Sequence, residues 1–148
     1  MFANTDGLDA YNSLGRNYGG NARHEKVRTL TIDAFVKEHR LIGKIAAMKI
    51  DVEGWETKVL AGATELLSRE DAPVLCVEFT EEAAQGANSS CAALYRVLER
   101  FGYNMFTVSD RPEAVIPFPL CDPFPNLNLL AVKRIEDLKK RLSTTTKR

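Results

Sequence analysis

Three carboxylates close two apolar runs. Lys49, Asp51 and Glu53 alternate along KIDVEG (49–54), and Glu78 stands near the end of VLCVEF (74–79). If both runs are neighbouring strands, Asp51, Glu53 and Glu78 converge on one rim. Ligands of open α/β sheets bind beyond the carboxyl ends of the strands. Charges gathered there are costly unless they meet a ligand, a cation, a basic side chain or water. Such a rim can orient a hydroxyl and take its proton. A divalent ion between Asp51 and Glu78 is compatible with hard carboxylate oxygens, but no spacing demands one, and no metal ligands are assigned. The plainer alternative is that Asp51 or Glu53 only caps the next helix. Lys49 has Asp51 and Glu78 as candidate partners. Trp55 reads as core rather than as a substrate platform. His24 lies in a Gly/Asn-rich loop, as a candidate base or simply as an exposed side chain, and His39 reads as packing.

The surrounding elements must place these groups. Residues 1–26 are rich in Gly, Asn, Asp and Ser and read as irregular loop. VRTLTI (27–32) is β-branched and alternating, which predicts a strand. Asp33 then caps a helix reaching about Leu41. AAMKID predicts the next strand, and Gly54 lets the chain turn sharply out of it. Trp55, Val59, Leu60, Ala63, Leu66 and Leu67 form one apolar stripe, which predicts a single amphipathic helix with Glu56 in its first turn. VLCVEF is apolar enough for a strand covered on both faces. Ser89 or Ser90 caps a helix ended by Gly102 in a left-handed conformation. YNMFTV reads as a strand, the Pro-rich 111–126 as a loop, LNLLAVK as a last strand and RIEDLKKRL as a terminal helix. The alternation of strands and helices implies an α/β fold with a mostly parallel sheet, its last two strands pairing antiparallel.

The 148 residues suit one domain, here placed at 27–142 with a tail at 143–148. A formal net charge of zero speaks against a nucleic-acid binder. Cys76, Cys91 and Cys121 make an odd count with no CxxC pair, which argues against a disulfide framework or structural zinc. Cys76 reads as a small buried residue, and the set favours a reducing compartment. The start lacks the basic and apolar regions of a signal peptide, and no window suits a membrane span. A cytoplasmic protein is expected, with no membrane partner.

TLTIDAF (29–35), MKIDVEGWETKVLAGATELL (48–67) and PVLCVEF (73–79) together resemble the FkbM-type methyltransferase family over residues 27–133. The matching positions are Thr29, Leu30, Asp33 and Phe35, then Lys49 to Gly54, then Glu56, Val59, Leu60, Gly62 and Glu78. The resemblance implies a class I, Rossmann-like methyltransferase fold with an antiparallel strand near one edge of a largely parallel sheet. It implies S-adenosylmethionine as cofactor and O-methylation of a hydroxyl on a sugar or small natural product. Asp51 and Glu53 are then candidates for acceptor positioning or base, with Glu78 behind them. The glycine-rich turn that such a fold puts after its first strand is absent before Val27, so cofactor-binding residues are not assigned. The chain therefore resembles the C-terminal part of such an enzyme. Two other readings stay open: an inactive methyltransferase fragment that associates through an exposed sheet edge, and a metal-dependent hydrolase using the same carboxylates.

Overall fold

A computed structural model describes residues 2–4, 22–24, 26–108, 115–136 and 138. The elements run β1 (Phe2–Asn4), β2 (Ala22–His24), α1 (Ile32–Glu38), β3 (Ala47–Ile50), α2 (Glu56–Ala61), α3 (Thr64–Ser68), β4 (Val74–Phe79), α4 (Glu81–Gly86), α5 (Cys91–Arg100), β5 (Asn104–Val108), β6 (Val115–Pro117) and β7 (Leu127–Val132). The α/β class holds. Strands β3 to β7 form one sheet in the order β3-β4-β7-β5-β6, and β1 pairs with β2 in a separate antiparallel ribbon.

The mostly parallel sheet does not hold. Among the described residues only β3 and β4 pair parallel; β4–β7, β7–β5 and β5–β6 are antiparallel. The cause is the return of β7, which comes back from the Pro-rich segment and inserts between β4 and β5. Those two strands still point the same way as β3, because each is antiparallel to β7.

Several expected boundaries also change. Residues 26–31 are irregular rather than strand, and the loop expected over 1–26 contains β1 and β2. Thr31, not Asp33, is the N-cap of α1, its hydroxyl accepting from the Ala34 amide at 3.1 Å. The Pro-rich segment contains β6, a strand at the sheet edge, where Pro117 costs no central ladder bond. The terminal helix expected over 134–142 lies largely outside the described residues, and the tail 143–148 lies wholly outside them.

The core occupies one face of the sheet. Leu75, Val77 and Phe79 of β4, Leu129 and Ala131 of β7 and Met105 of β5 pack against Leu60, Ala63, Leu67, Leu94 and Leu98 of the helices. Phe124, from the segment before β7, stacks on Phe79 with ring centroids 5.4 Å apart and closes the core at that end. On the opposite face a smaller cluster holds Phe106, Val132 and Leu138. The two faces of β4 are therefore unequal: its side chains alternate between fully and half-buried. Cys76, on the thinner face, is half-buried, and the deeply buried thiol is Cys91. Among the described residues no helix is long and apolar enough to cross a membrane.

The expected single helix from Trp55 to Leu67 breaks at Gly62 and Ala63 into α2 and α3. The break belongs to α1. The Gly62 carbonyl accepts from the Asp33 amide at 2.9 Å, and a Cβ on Gly62 would stand 3.3 Å from Cβ of Thr31. Asp33 also accepts from the amides of Glu65 and Leu66 at 2.9 and 3.0 Å. Its carboxylate thus satisfies the free N–H groups at the start of α3. Ser90 caps α5, accepting from the Ala93 amide at 3.1 Å, and Gly102 ends it at φ 83°.

Candidate functional site

Parallel pairing of β3 with β4 carries the ends of both strands to one side. Lys49 and Cys76 stand side by side, and so do Ile50 and Val77. Side-chain alternation sends Met48 and Ile50 toward the helices, and Lys49 with Asp51 toward the thinner face. Glu78 and its neighbour Asn128 on β7 share that face. Oxygens of Asp51, Glu53 and Glu78 all lie within 4.8 Å of one another. The three carboxylates that the sequence singles out are therefore brought together at the carboxyl ends of two adjacent strands. Such a set can hold a hard divalent cation.

The turn after β3 is tightly built. Glu53 adopts φ 54° and Gly54 φ 94°, two successive residues in the left-handed region. Only glycine fits at the second position, since a Cβ there would lie 2.0 Å from the carbonyl oxygen of Ala83 in α4. The buried carboxylate of Glu56 reaches back into the turn and accepts from the amides of Val52 (3.1 Å) and Gly54 (3.3 Å). The turn is thus fixed from α2 by hydrogen bonds and from α4 by contact. Neither Asp51 nor Glu53 caps α2, whose N-cap is Trp55, and Trp55 itself is half-buried at the helix start rather than in the core.

Charge in the site is only partly compensated. Lys49 Nζ donates to Asp51 at 3.0 Å and also to the amide oxygen of Asn128. Burial, followed by a hydrogen bond with Asp51 and the charges of Asp51, Glu53 and Glu56, raises the Glu78 carboxyl to about 7. Glu53 is raised as well, first by burial and then by Asp51 and Glu56. Carboxylates this close resist ionising together, so near neutral pH the cluster readily holds a proton.

Asn128 is the member that sequence reasoning passes over. Its signal was present: one amide interrupts an otherwise apolar LNLLAV strand. Element α4 also escaped notice, although it sets the wall behind Gly54. Its Glu81 accepts from the Cys91 amide at 2.9 Å and so ties α4 to the start of α5. The side chain of His24 lies outside the described residues. His39 follows α1 and meets the Phe35 ring at a tilt of 50°, centroids 4.3 Å apart, away from the carboxylates in sequence and in element.

No curated protein and no solved structure matches the chain. The model of the methyltransferase FkbM domain matches residues 2–105. That span carries the Asp33 clasp, the turn after β3, Glu56 and the carboxylate rim of β3 and β4, and the chain belongs to the FkbM methyltransferase family.

Proposed function

We propose that the protein transfers a methyl group from S-adenosylmethionine to a hydroxyl of a sugar or small natural product, with Asp51, Glu53 and Glu78 at the reacting end. The single observation that carries this reading is the convergence of the three carboxylates, within 4.8 Å, at the end of the parallel β3–β4 pair of a methyltransferase-family chain. Three acids facing one lysine leave an excess of negative charge, which suits a cationic sulfonium donor. When bound, that donor supplies an electrophilic methyl carbon. The cofactor's ribose and adenine have no assigned holders: among the described residues no strand with a glycine-rich turn stands beside β3.

The chain's own groups then have distinct tasks. Glu78, raised to about 7, would accept the proton of the acceptor hydroxyl. Asp51, held by Lys49, accepts a hydrogen bond that fixes the acceptor's orientation, and Glu53 presents the second oxygen of that cradle. Alignment of the oxygen with the methyl carbon supplies the larger part of the rate, up to about 7–11 kcal/mol in well-oriented systems. The open edge of β3 is proposed to pair with a second copy of the chain.

Calorimetric titration with S-adenosylmethionine and a methyl-transfer assay over a panel of hydroxylated acceptors test the reading. Binding in the micromolar range is expected. Turnover should fall by about 100-fold or more in Asp51→Asn and in Glu78→Gln, the loss typical of a removed proton-transfer or orienting group. Absence of binding, or an Asp51→Asn protein as active as the parent, rejects the assignment.

A further inference from the structure

Glu56 is assigned no step in the reaction just described, yet it is the one charged side chain buried among the described residues, 4 % exposed. An acid in the first turn of a helix ordinarily gains from the helix dipole while remaining in water. Burial of a carboxylate is costly and persists only where hydrogen bonds offset it. Both bonds of Glu56 go to a single oxygen, and both donors, Val52 and Gly54, precede the helix. Its task is therefore not to cap α2. The N-cap amide, that of Trp55, is already met by the Val52 carbonyl at 3.3 Å.

What needs holding is the turn. Two consecutive left-handed residues are unfavourable, and a non-glycine such as Glu53 occupies that region only when its surroundings enforce it. Released, Glu53 would relax to negative φ and swing its carboxylate away from Glu78. We propose that Glu56 is a positioning residue: its Oε1 locks the 52–54 turn and thereby sets where Asp51 and Glu53 stand against Glu78. The proposal rests on the reading of this rim as the reacting end of a methyltransferase.

Three variants separate positioning from mere packing. Glu56→Gln keeps a carbonyl oxygen in the same place, able to accept both bonds. Glu56→Asp keeps the charge but falls one methylene short. Glu56→Ala removes the acceptor. Amide exchange followed by NMR reads the clamp without any substrate. In Glu56→Ala and Glu56→Asp the Val52 and Gly54 amides should exchange about tenfold faster or more, with the amides of β4 unchanged, as for the loss of a bond to a charged group. In the same variants kcat should fall while KM for the methyl donor stays within about twofold, and Glu56→Gln should restore protection and kcat together. If Glu56→Ala does not fold, Glu56→Asp against Glu56→Gln carries the comparison. Unchanged protection in the shortened variants, or loss of thermal stability and activity together that Glu56→Gln does not rescue, overturns the proposal. An inactive parent protein would instead reject the proposed function, and the exchange pattern would still decide whether the clamp exists.

Discussion

Asp33 and Glu78 are both acids at element ends, and the structure gives them opposite work. Asp33 delivers both oxygens to the amides of Glu65 and Leu66, so its role is to hold α3 against α1. Asp33→Ala should cost about 1–2 kcal/mol, the usual loss for a helix cap, and lower Tm by several degrees in a calorimetric scan. Methyl transfer at a temperature below the transition should persist. Glu78 titrates instead. Its carboxyl is raised from 4.5 to about 7, so the folded state binds a proton that the unfolded chain has already released. Stability from that proton is present below about 4.5 and is lost as pH rises to about 7. Urea midpoints of the parent relative to Glu78→Gln should therefore decline across that window and level off above it. A constant difference from pH 4 to 8 would show that Glu78 keeps an ordinary carboxyl. Residue identity was legible here because strand-end acids are conspicuous. The division of labour was not, since capping depends on which amides a distant helix presents.

Elements were legible where hydrophobic period and caps agreed. Ser90 and Gly102 bracket α5, and β4 and β7 follow their apolar runs. The failures share a cause in contacts between segments far apart in sequence. The stripe from Trp55 to Leu67 is continuous, yet α1 breaks it by bonding the Gly62 carbonyl. VRTLTI alternates like a strand, but its residues pair with no ladder and run irregularly into α1. The short α4, EEAAQG, has no amphipathic length to announce it, although it explains why position 54 must be glycine. Gly54→Ala would drive a methyl group to 2.0 Å from the Ala83 oxygen at a backbone φ of 94°. Both the overlap and the strain act at once, so a loss of more than about 3 kcal/mol is expected, read as a lower urea midpoint with unchanged m value. Displacement of α4 would also carry away the wall behind Gly54, so the carboxylate site should fail with the fold rather than before it.

At the scale of the whole molecule, β3 stands at the edge of its sheet, with no neighbour on its outer side among the described residues. The strand direction and the helical face were readable from composition, but strand order was not, because nothing local in LNLLAVK says that it inserts between β4 and β5. One consequence of that order is testable. The Ala46 carbonyl accepts from the Val74 amide at 3.1 Å, so even-numbered residues of β3 direct their backbone groups toward β4. Alternation then turns the amides of Ala47 and Lys49 outward, to the open edge. The chain leading into β3 adds exposed Val27, Leu30, Phe35 and Ile42. An unpaired edge of this kind templates a second strand. In an antiparallel pairing of two copies centred on Met48, Ala47 of one copy would face Lys49 of the other, and Met48 and Ile50 would keep to the apolar face. Sedimentation velocity should show a concentration-dependent dimer. Ala47→Pro removes an outward N–H without touching the β3–β4 ladder, and its ring clashes only with a strand arriving from outside. That variant should remain folded, keep its thermal transition at low concentration, and sediment as a monomer throughout. A parent chain that is monomeric at every concentration, or an Ala47→Pro protein that dimerises as the parent does, would mean that the outer side of β3 is not where copies meet.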